Sequence, residues 1–171
     1  MRKITLTILV VFVLGACPVQ ADTVWTSGHH IITDANDPFG EIRIYNDVTV
    51  DILGGQIGRL ETYDVTATDM SGGEMYMLWT YYDSTVNLHG GTLGTLLSEE
   101  DSMVNIYGYD VVITDIGGAW DRGQVTGTYF LYDSPFVIDL WSQDTGSHIN
   151  VIPEPVTVVL LGLGALALRS C

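Results

Sequence analysis

The stretch Asp83-Ser84-Thr85-Val86-Asn87-Leu88-His89-Gly90-Gly91 decides the reading of this chain, because Asp101-Ser102-Met103-Val104-Asn105-Ile106-Tyr107-Gly108 echoes it one repeat later. Working outward, glycines fall at the evenly spaced positions Gly54, Gly72, Gly90 and Gly108, and the first three are doubled as Gly54-Gly55, Gly72-Gly73 and Gly90-Gly91. An apolar residue stands two positions before each (Ile52, Met70, Leu88, Ile106) and another three positions after (Ile57, Met75, Leu93, Val111). Leu60, Leu78 and Leu96 follow six positions after the glycine; Thr114 breaks that series. Val50-Asp51-Ile52 and Val86-Asn87-Leu88 alternate apolar and polar, the pattern of a strand with one buried face. The glycine pair then supplies a corner at positive φ without steric cost.

A fixed period of this kind marks a repeat architecture, and stacked coils bury their aliphatic positions as one continuous core. The expectation is an all-β, single-domain β-solenoid of about four 18-residue coils over residues 46–116. At about 4.8 Å per coil the stack is only about 19 Å long, so its ends need capping strands to cover unpaired edges. Upstream, Glu41 to Asn46 alternates as a strand. Downstream, residues 117–152 offer Thr126–Tyr132 and Phe136–Trp141 around an Asp133-Ser134-Pro135 turn, and a last strand from His148 to Ile152. The body contains no amphipathic helix of useful length.

Both ends read as targeting segments. Met1-Arg2-Lys3, an apolar run from Ile4 to Ala16, and Val19-Gln20-Ala21 before Asp22 form a signal peptide over residues 1–21 that implies export. Leu14-Gly15-Ala16-Cys17 offers lipoprotein processing as the alternative, with Gly15 and Pro18 arguing against it. The apolar run from Val156 to Leu168 falls short of the about 20 residues that a comfortable membrane span needs. It reads as a segment for transient insertion.

The body from Asp22 to Ile152 holds 20 acidic residues against Arg43, Arg59 and Arg122, a net charge near −17. Such a surface has no means of releasing phosphate counterions, which excludes nucleic acid as a partner. Cys17 and Cys171 lie in the two end segments, so the body has no disulfides and must be held by packing and backbone ladders.

Val151-Ile152-Pro153-Glu154-Pro155-Val156, the apolar run and Arg169 together resemble a PEP-CTERM sorting signal. The resemblance implies a tail over residues 153–171, with Pro153, Glu154, Pro155 and Arg169 as its motif residues, processed by an exosortase-type enzyme during export. The basic cluster is reduced to Arg169 before Ser170 and Cys171. The repeats, and the opening Ser27-Gly28-His29-His30-Ile31-Ile32, resemble planctomycete-type short β-solenoid repeat proteins carrying the same tail. That resemblance implies the fold and no activity. The expected fold adds an N-terminal signal helix and a C-terminal hydrophobic sorting helix outside the body.

For chemistry, Asp51, Asp69, Asn87 and Asn105 occupy one place in successive coils and should form an outward column. A hard cation, Ca²⁺, would relieve repulsion between stacked carboxylates, whereas solvated Asx side chains bonded to nearby backbone are the ordinary alternative. A second column is offered by Asp83 and Asp101, which Val65 interrupts. Neither a Gly-Gly-x-Gly-x-Asp calcium repeat nor an EF-hand loop is present. Tyr63, Trp79, Tyr81 and Tyr82 cluster on adjacent coils and would contact sugar rings; core widening is the plainer role. His29, His30, His89 and His148 have no zinc-ligand spacing, and no Gly-x-Ser-x-Gly elbow supports a catalytic triad. A polysaccharide lyase would want basic groups for its substrate, and a glycosidase would need two carboxylates across a cleft. The expectation is an exported structural or adhesive protein of the cell surface or an exopolysaccharide matrix, without catalytic activity or cofactor. A carbohydrate- or calcium-binding module is the alternative, and a polysaccharide-active enzyme the third reading.

Overall fold

The computed structural model describes residues 23–33, 38–115, 123–142 and 144–153. The signal and sorting segments, Glu154, Pro155, Arg169, Arg122 and both cysteines lie outside the described residues. The described residues form thirteen strands and one 3-10 turn. They are β1 (Thr23–Trp25), β2 (His29–Ile32), β3 (Pro38–Ile44), β4 (Thr49–Ile52), β5 (Gln56–Thr62), β6 (Ala67–Met70), β7 (Glu74–Thr80), β8 (Thr85–Leu88), β9 (Thr92–Ser98), β10 (Met103–Asp115), β11 (Gly123–Tyr129), β12 (Ser134–Leu140) and β13 (Ile149–Ile152), with the turn at Asp144–His148.

The protein is an all-β solenoid of about four turns. Each turn pairs a four-residue strand with a seven-residue strand: β2 with β3, β4 with β5, β6 with β7, β8 with β9. The short strands stack in parallel as β2-β4-β6-β8 and continue into the first half of β10 and then β13. The long strands stack as β1-β3-β5-β7-β9-β12, also parallel. The two sheets face each other across columns of identical register. Ile32, Ile52, Met70, Leu88 and Ile106 form one column, and Ile42, Leu60, Leu78, Leu96 and Leu140 the opposite one; all are buried. Burying each such side chain contributes about 1.5–3 kcal/mol, which offsets the backbone entropy lost on ordering the coil.

The doubled glycines serve two separate ends. The second of each pair, Gly55, Gly73 and Gly91, takes φ between 81° and 89°, the left-handed region that turns the corner. The first is needed for close approach: a Cβ on Gly72 would lie 2.4 Å from the carbonyl oxygen of Leu53 in the preceding coil, and on Gly54 or Gly90 it would meet a backbone oxygen at 2.8 Å. The opposite corner carries left-handed residues that are not glycine, namely Asn46, Asp64, Tyr82 and Glu100, with φ from 56° to 64°. Such conformations are costly for side-chain-bearing residues. Here the next coil helps to hold them, since the Asn46 N–H donates to Asp64 Oδ2 (3.2 Å) and the Tyr82 N–H to Glu100 Oε2 (3.1 Å).

Two expectations change. The residues upstream of 46 form a complete turn, β2–β3, rather than a capping strand alone. At the other end, Gly108 opens no corner. With Tyr109 in place of a second glycine, β10 runs straight through from Met103 to Asp115, with a register shift between Tyr109 and Val112 where Asp110 takes φ 53°. Gly108 still permits a close approach, now to Thr128 O of β11 at 2.6 Å from its would-be Cβ. The set of turns is therefore displaced by one coil toward the N-terminus. Where the fourth repeat would have placed its long strand, β12 pairs with β9 instead, and β11 and β10 follow it in antiparallel order. The predicted strands at 126–132, 136–141 and 148–152 correspond to β11, β12 and β13 with shifted ends.

Candidate functional site

The outer faces hold the candidate chemistry, and each is built by stacking equivalent positions. On the short sheet the predicted polar column forms in register, Asp51 beside Asp69, then Asn87, then Asn105. Asn150 of β13 extends it. The amides make a directional ladder: Asn87 Nδ2 donates to Asp69 Oδ1 (2.9 Å), Asn105 Nδ2 to Asn87 Oδ1 (2.8 Å), and Asn150 Nδ2 to Asn105 Oδ1 (3.2 Å). An amide can do this because it carries a donor and an acceptor on one group. The two carboxylates occupy the N-terminal end, where His29 Nε2 lies 2.9 Å from Asp51 Oδ2 and His89 Nε2 lies 3.7 Å from Asp69 Oδ1. His89 also stacks on Tyr107, centroids 3.9 Å apart. For a hard cation this column offers fewer oxygens than the about six to eight it takes, and the Asp69 oxygen is already shared with an amide. Among the described residues no group of three or more His, Cys, Asp or Glu is arranged to hold a metal ion. Asp83 and Asp101 are exposed at the corner.

Just past the C-terminal ends of the long strands, Tyr63 and Tyr81 stack, as their equivalent positions imply, with centroids 5.0 Å apart. Tyr45, which the sequence reading does not single out, extends the stack at 4.8 Å. Tyr82 leans on Tyr63 at 6.4 Å. Both faces of the central Tyr63 ring are thus occupied by its neighbours. Its hydroxyl donates to Glu61 Oε2 (3.0 Å), and burial together with that bond holds the phenol well above its ordinary pKa. Trp79 lies beneath Arg59, whose guanidinium carbon is 4.6 Å from the ring centroid, a cation–π contact. The Trp79 indole N–H is buried without an acceptor.

A second feature, on the outer face of the long sheet, was not foreseen: a checkerboard of four charges. Register places Glu41 opposite Arg59 and Arg43 opposite Glu61, while each strand alternates sign along its own length. All four contacts close. Arg43 Nε meets Glu61 Oε2 at 2.9 Å and Arg59 Nε lies 3.1 Å from Glu61 Oε1, off the hydrogen-bond line. Glu41 pairs with both Arg43 and Arg59. Glu61 is only 5% exposed although it points away from the core. The two described cations of the body are thereby neutralised by neighbours. The alternation Glu-x-Arg in one coil and Arg-x-Glu at the equivalent positions of the next was the signal available in the sequence.

Between the sheets, the corner is lined by hydroxyls. Thr80, Ser98 and Ser102 bond one another at 2.7–3.1 Å, and Thr62 donates to Ser84. The C-terminal turn leaves an open depression of about 410 Å³ lined by Glu99, Glu100, Ser142, Asp144, Ser147 and His148. His148 Nδ1 lies 2.9 Å from the carbonyl of Ser102, so it must donate there. The hydroxyls of Ser142 and Ser147 are engaged with Thr145 Oγ1 and the Asp144 carbonyl. No described serine is bonded to a histidine ring as a nucleophile to its base would be.

Comparison of the chain with family models, with curated proteins and with solved structures gives no match, so the reading of function rests on its own residues.

Proposed function

We propose that the chain is an exported structural or adhesive protein of the cell surface or extracellular matrix, sorted through its C-terminal tail and without catalytic chemistry. The observation that carries this reading is the way outward polar groups are used. The amide ladder, the tyrosine stack and the charge checkerboard each bond one coil to the next. Groups held by their own neighbours rigidify a stack; they are not poised to exchange protons or ligands with a substrate. A surface of net charge near −17 suits a hydrated, cation-rich matrix.

The export machinery and an exosortase-type enzyme are the partners this reading requires, with transient membrane insertion through residues 156–168. Intact-mass and terminal-peptide analysis of the native protein, from washed cells and from medium, tests it. The expected mature chain begins at Asp22 and ends near Pro153, in the matrix fraction. A chain retaining Leu168 and Arg169 in the membrane fraction would overturn the sorting and leave a tethered protein.

A further inference from the structure

The geometry points to the middle of the outer face of the long sheet as a binding surface for an uncharged polysaccharide, centred on Tyr76. This deepens the matrix reading above and rests on it. The face is continuous, because β3, β5, β7 and β9 pair in parallel and in register. At one end lies the neutralised checkerboard of β3 and β5. At the other, on β12, Asp139 accepts a hydrogen bond from Gln124 Nε2 at 2.9 Å. Between them stand Tyr76, Met77, Trp79, Gly94, Thr95 and Leu97, none of them charged, with the paired Arg59 reaching over Trp79 from the checkerboard. Glu74, held by Gln56 Nε2 (3.0 Å), and Glu99 mark the two rims. On a body so acidic, such a patch is a conspicuous gap in the charge.

Leu97, in the outer column opposite Trp79, is only 7% exposed, so the apolar group that the patch offers to a ligand is Tyr76. Tyr76 is 66% exposed. Its equivalent positions in the coils before and after are Gly58 and Gly94, so no side chain stands on either flank of the ring at its own column. In the tyrosine stack, Tyr63 has both ring faces covered and Tyr45 and Tyr81 one face each, whereas Tyr76 makes no ring contact with a described residue. An exposed ring flanked by glycine positions can receive a pyranose, whose aliphatic C–H groups meet the π-system while its hydroxyls remain in water.

Charge selects the class of occupant. A uronate or sulfated polymer would find the two described arginines, Arg43 and Arg59, already paired and the surrounding body repulsive. A second copy would bring its own charge of about −17 to the same face. A neutral polymer meets neither obstacle.

The test is depletion of the purified full-length chain by amorphous cellulose and by chitin, with alginate gel as the anionic comparison. Saturable depletion by a neutral polymer, little changed by salt, is expected. Tyr76→Ala should weaken it by about tenfold. Tyr76→Trp should retain it, and Tyr132→Ala, which removes an equally exposed ring elsewhere (65%), should leave it unchanged. Tyr76 is exposed, so its variants fold; melting curves superimposable on the parent check this. Absence of depletion by either neutral polymer, equal depletion by Tyr76→Ala, or preferential depletion by alginate would each overturn the proposal. If the protein nevertheless fractionates with the matrix in washed cells, the structural reading stands without this surface; if it is recovered only as free protein in the medium, that reading fails as well.

Discussion

Replacing glycines one at a time separates the two reasons for the Gly-Gly corners. Gly28 has φ +93° with nothing within 4 Å of a would-be Cβ, so Gly28→Ala tests backbone conformation alone. Gly72 has no left-handed φ, but its Cβ would sit 2.4 Å from Leu53 O and 3.1 Å from Leu53 C. Both atoms are backbone, so no side chain can swing away. Relief requires the two coils to separate by about 1 Å, at the place where Ser71 N and Gly72 N both donate to Ile52 O (2.9 and 3.2 Å). Gly73 combines a φ of +81° with 2.8 Å to Gly54 O. The expected losses are about 1 kcal/mol for Gly28→Ala, about 3 kcal/mol for Gly72→Ala, and about 4 kcal/mol for Gly73→Ala if the two effects add. At roughly 4 °C per kcal/mol for a domain of this size, Gly72→Ala should lower the melting temperature by about 12 °C and Gly28→Ala by about 4 °C. Circular-dichroism melts of the three variants against the parent measure this. If Gly72→Ala proves as mild as Gly28→Ala, the coils are not held in backbone contact and the account of the doubled glycine is wrong.

Thr68 occupies the apolar column of Val50, Val86 and Val104 and is fully buried with its hydroxyl unpaired, so Thr68→Val should stabilise by about 1 kcal/mol; a loss in chemical denaturation would mean that an unseen partner satisfies the hydroxyl. Glu61→Gln leaves Arg43 and Arg59 short of a counter-charge. Because both arginines are about a third exposed and solvent screens them, a loss of about 2 kcal/mol is expected rather than the larger cost of a sealed ion pair, and urea titration at low and high salt checks it. Asn87→Asp replaces an amide donor with a third carboxylate beside Asp69, and should cost about 1 kcal/mol, partly recovered by millimolar Ca²⁺. A comparable Ca²⁺ stabilisation of the parent, read by calorimetry, would instead favour the cation reading of the ladder. Burial raises the pKa of Tyr129, and burial with the Glu61 bond raises that of Tyr63, above the ordinary 10.0. The folded state then holds protons that the unfolded state releases, so their contribution is complete below pH 10 and is lost as pH rises beyond it; Tyr129→Phe should flatten the alkaline fall in melting temperature.

The sequence alone determined the inner half of this protein. The fixed glycine period and the apolar–polar alternation are local patterns written several times over, so the columns of Ile52, Met70 and Leu88 and of Leu60, Leu78 and Leu96 are legible in register without any coordinate. The Asx column is legible for the same reason, although its direction is not, because Asp and Asn look alike as outward polar residues until a donor is needed. Where equivalent positions change character, repetition gives no signal. The checkerboard arises from unlike residues at like positions, and only pairing register sets Glu41 against Arg59. The first turn reads as a cap in sequence because its spacing is irregular. His29 pairs with Thr49 and Thr49 with Ala67; the first step is the longer by two positions, and that insertion conceals the period. Tertiary structure alone decided the C-terminal end. Tyr109 and Thr114 remove the corner glycine and the inward apolar residue that a fourth long strand would need. Ile138 and Leu140 of β12 supply the buried side chains in its place, from a part of the chain that no period connects to β9.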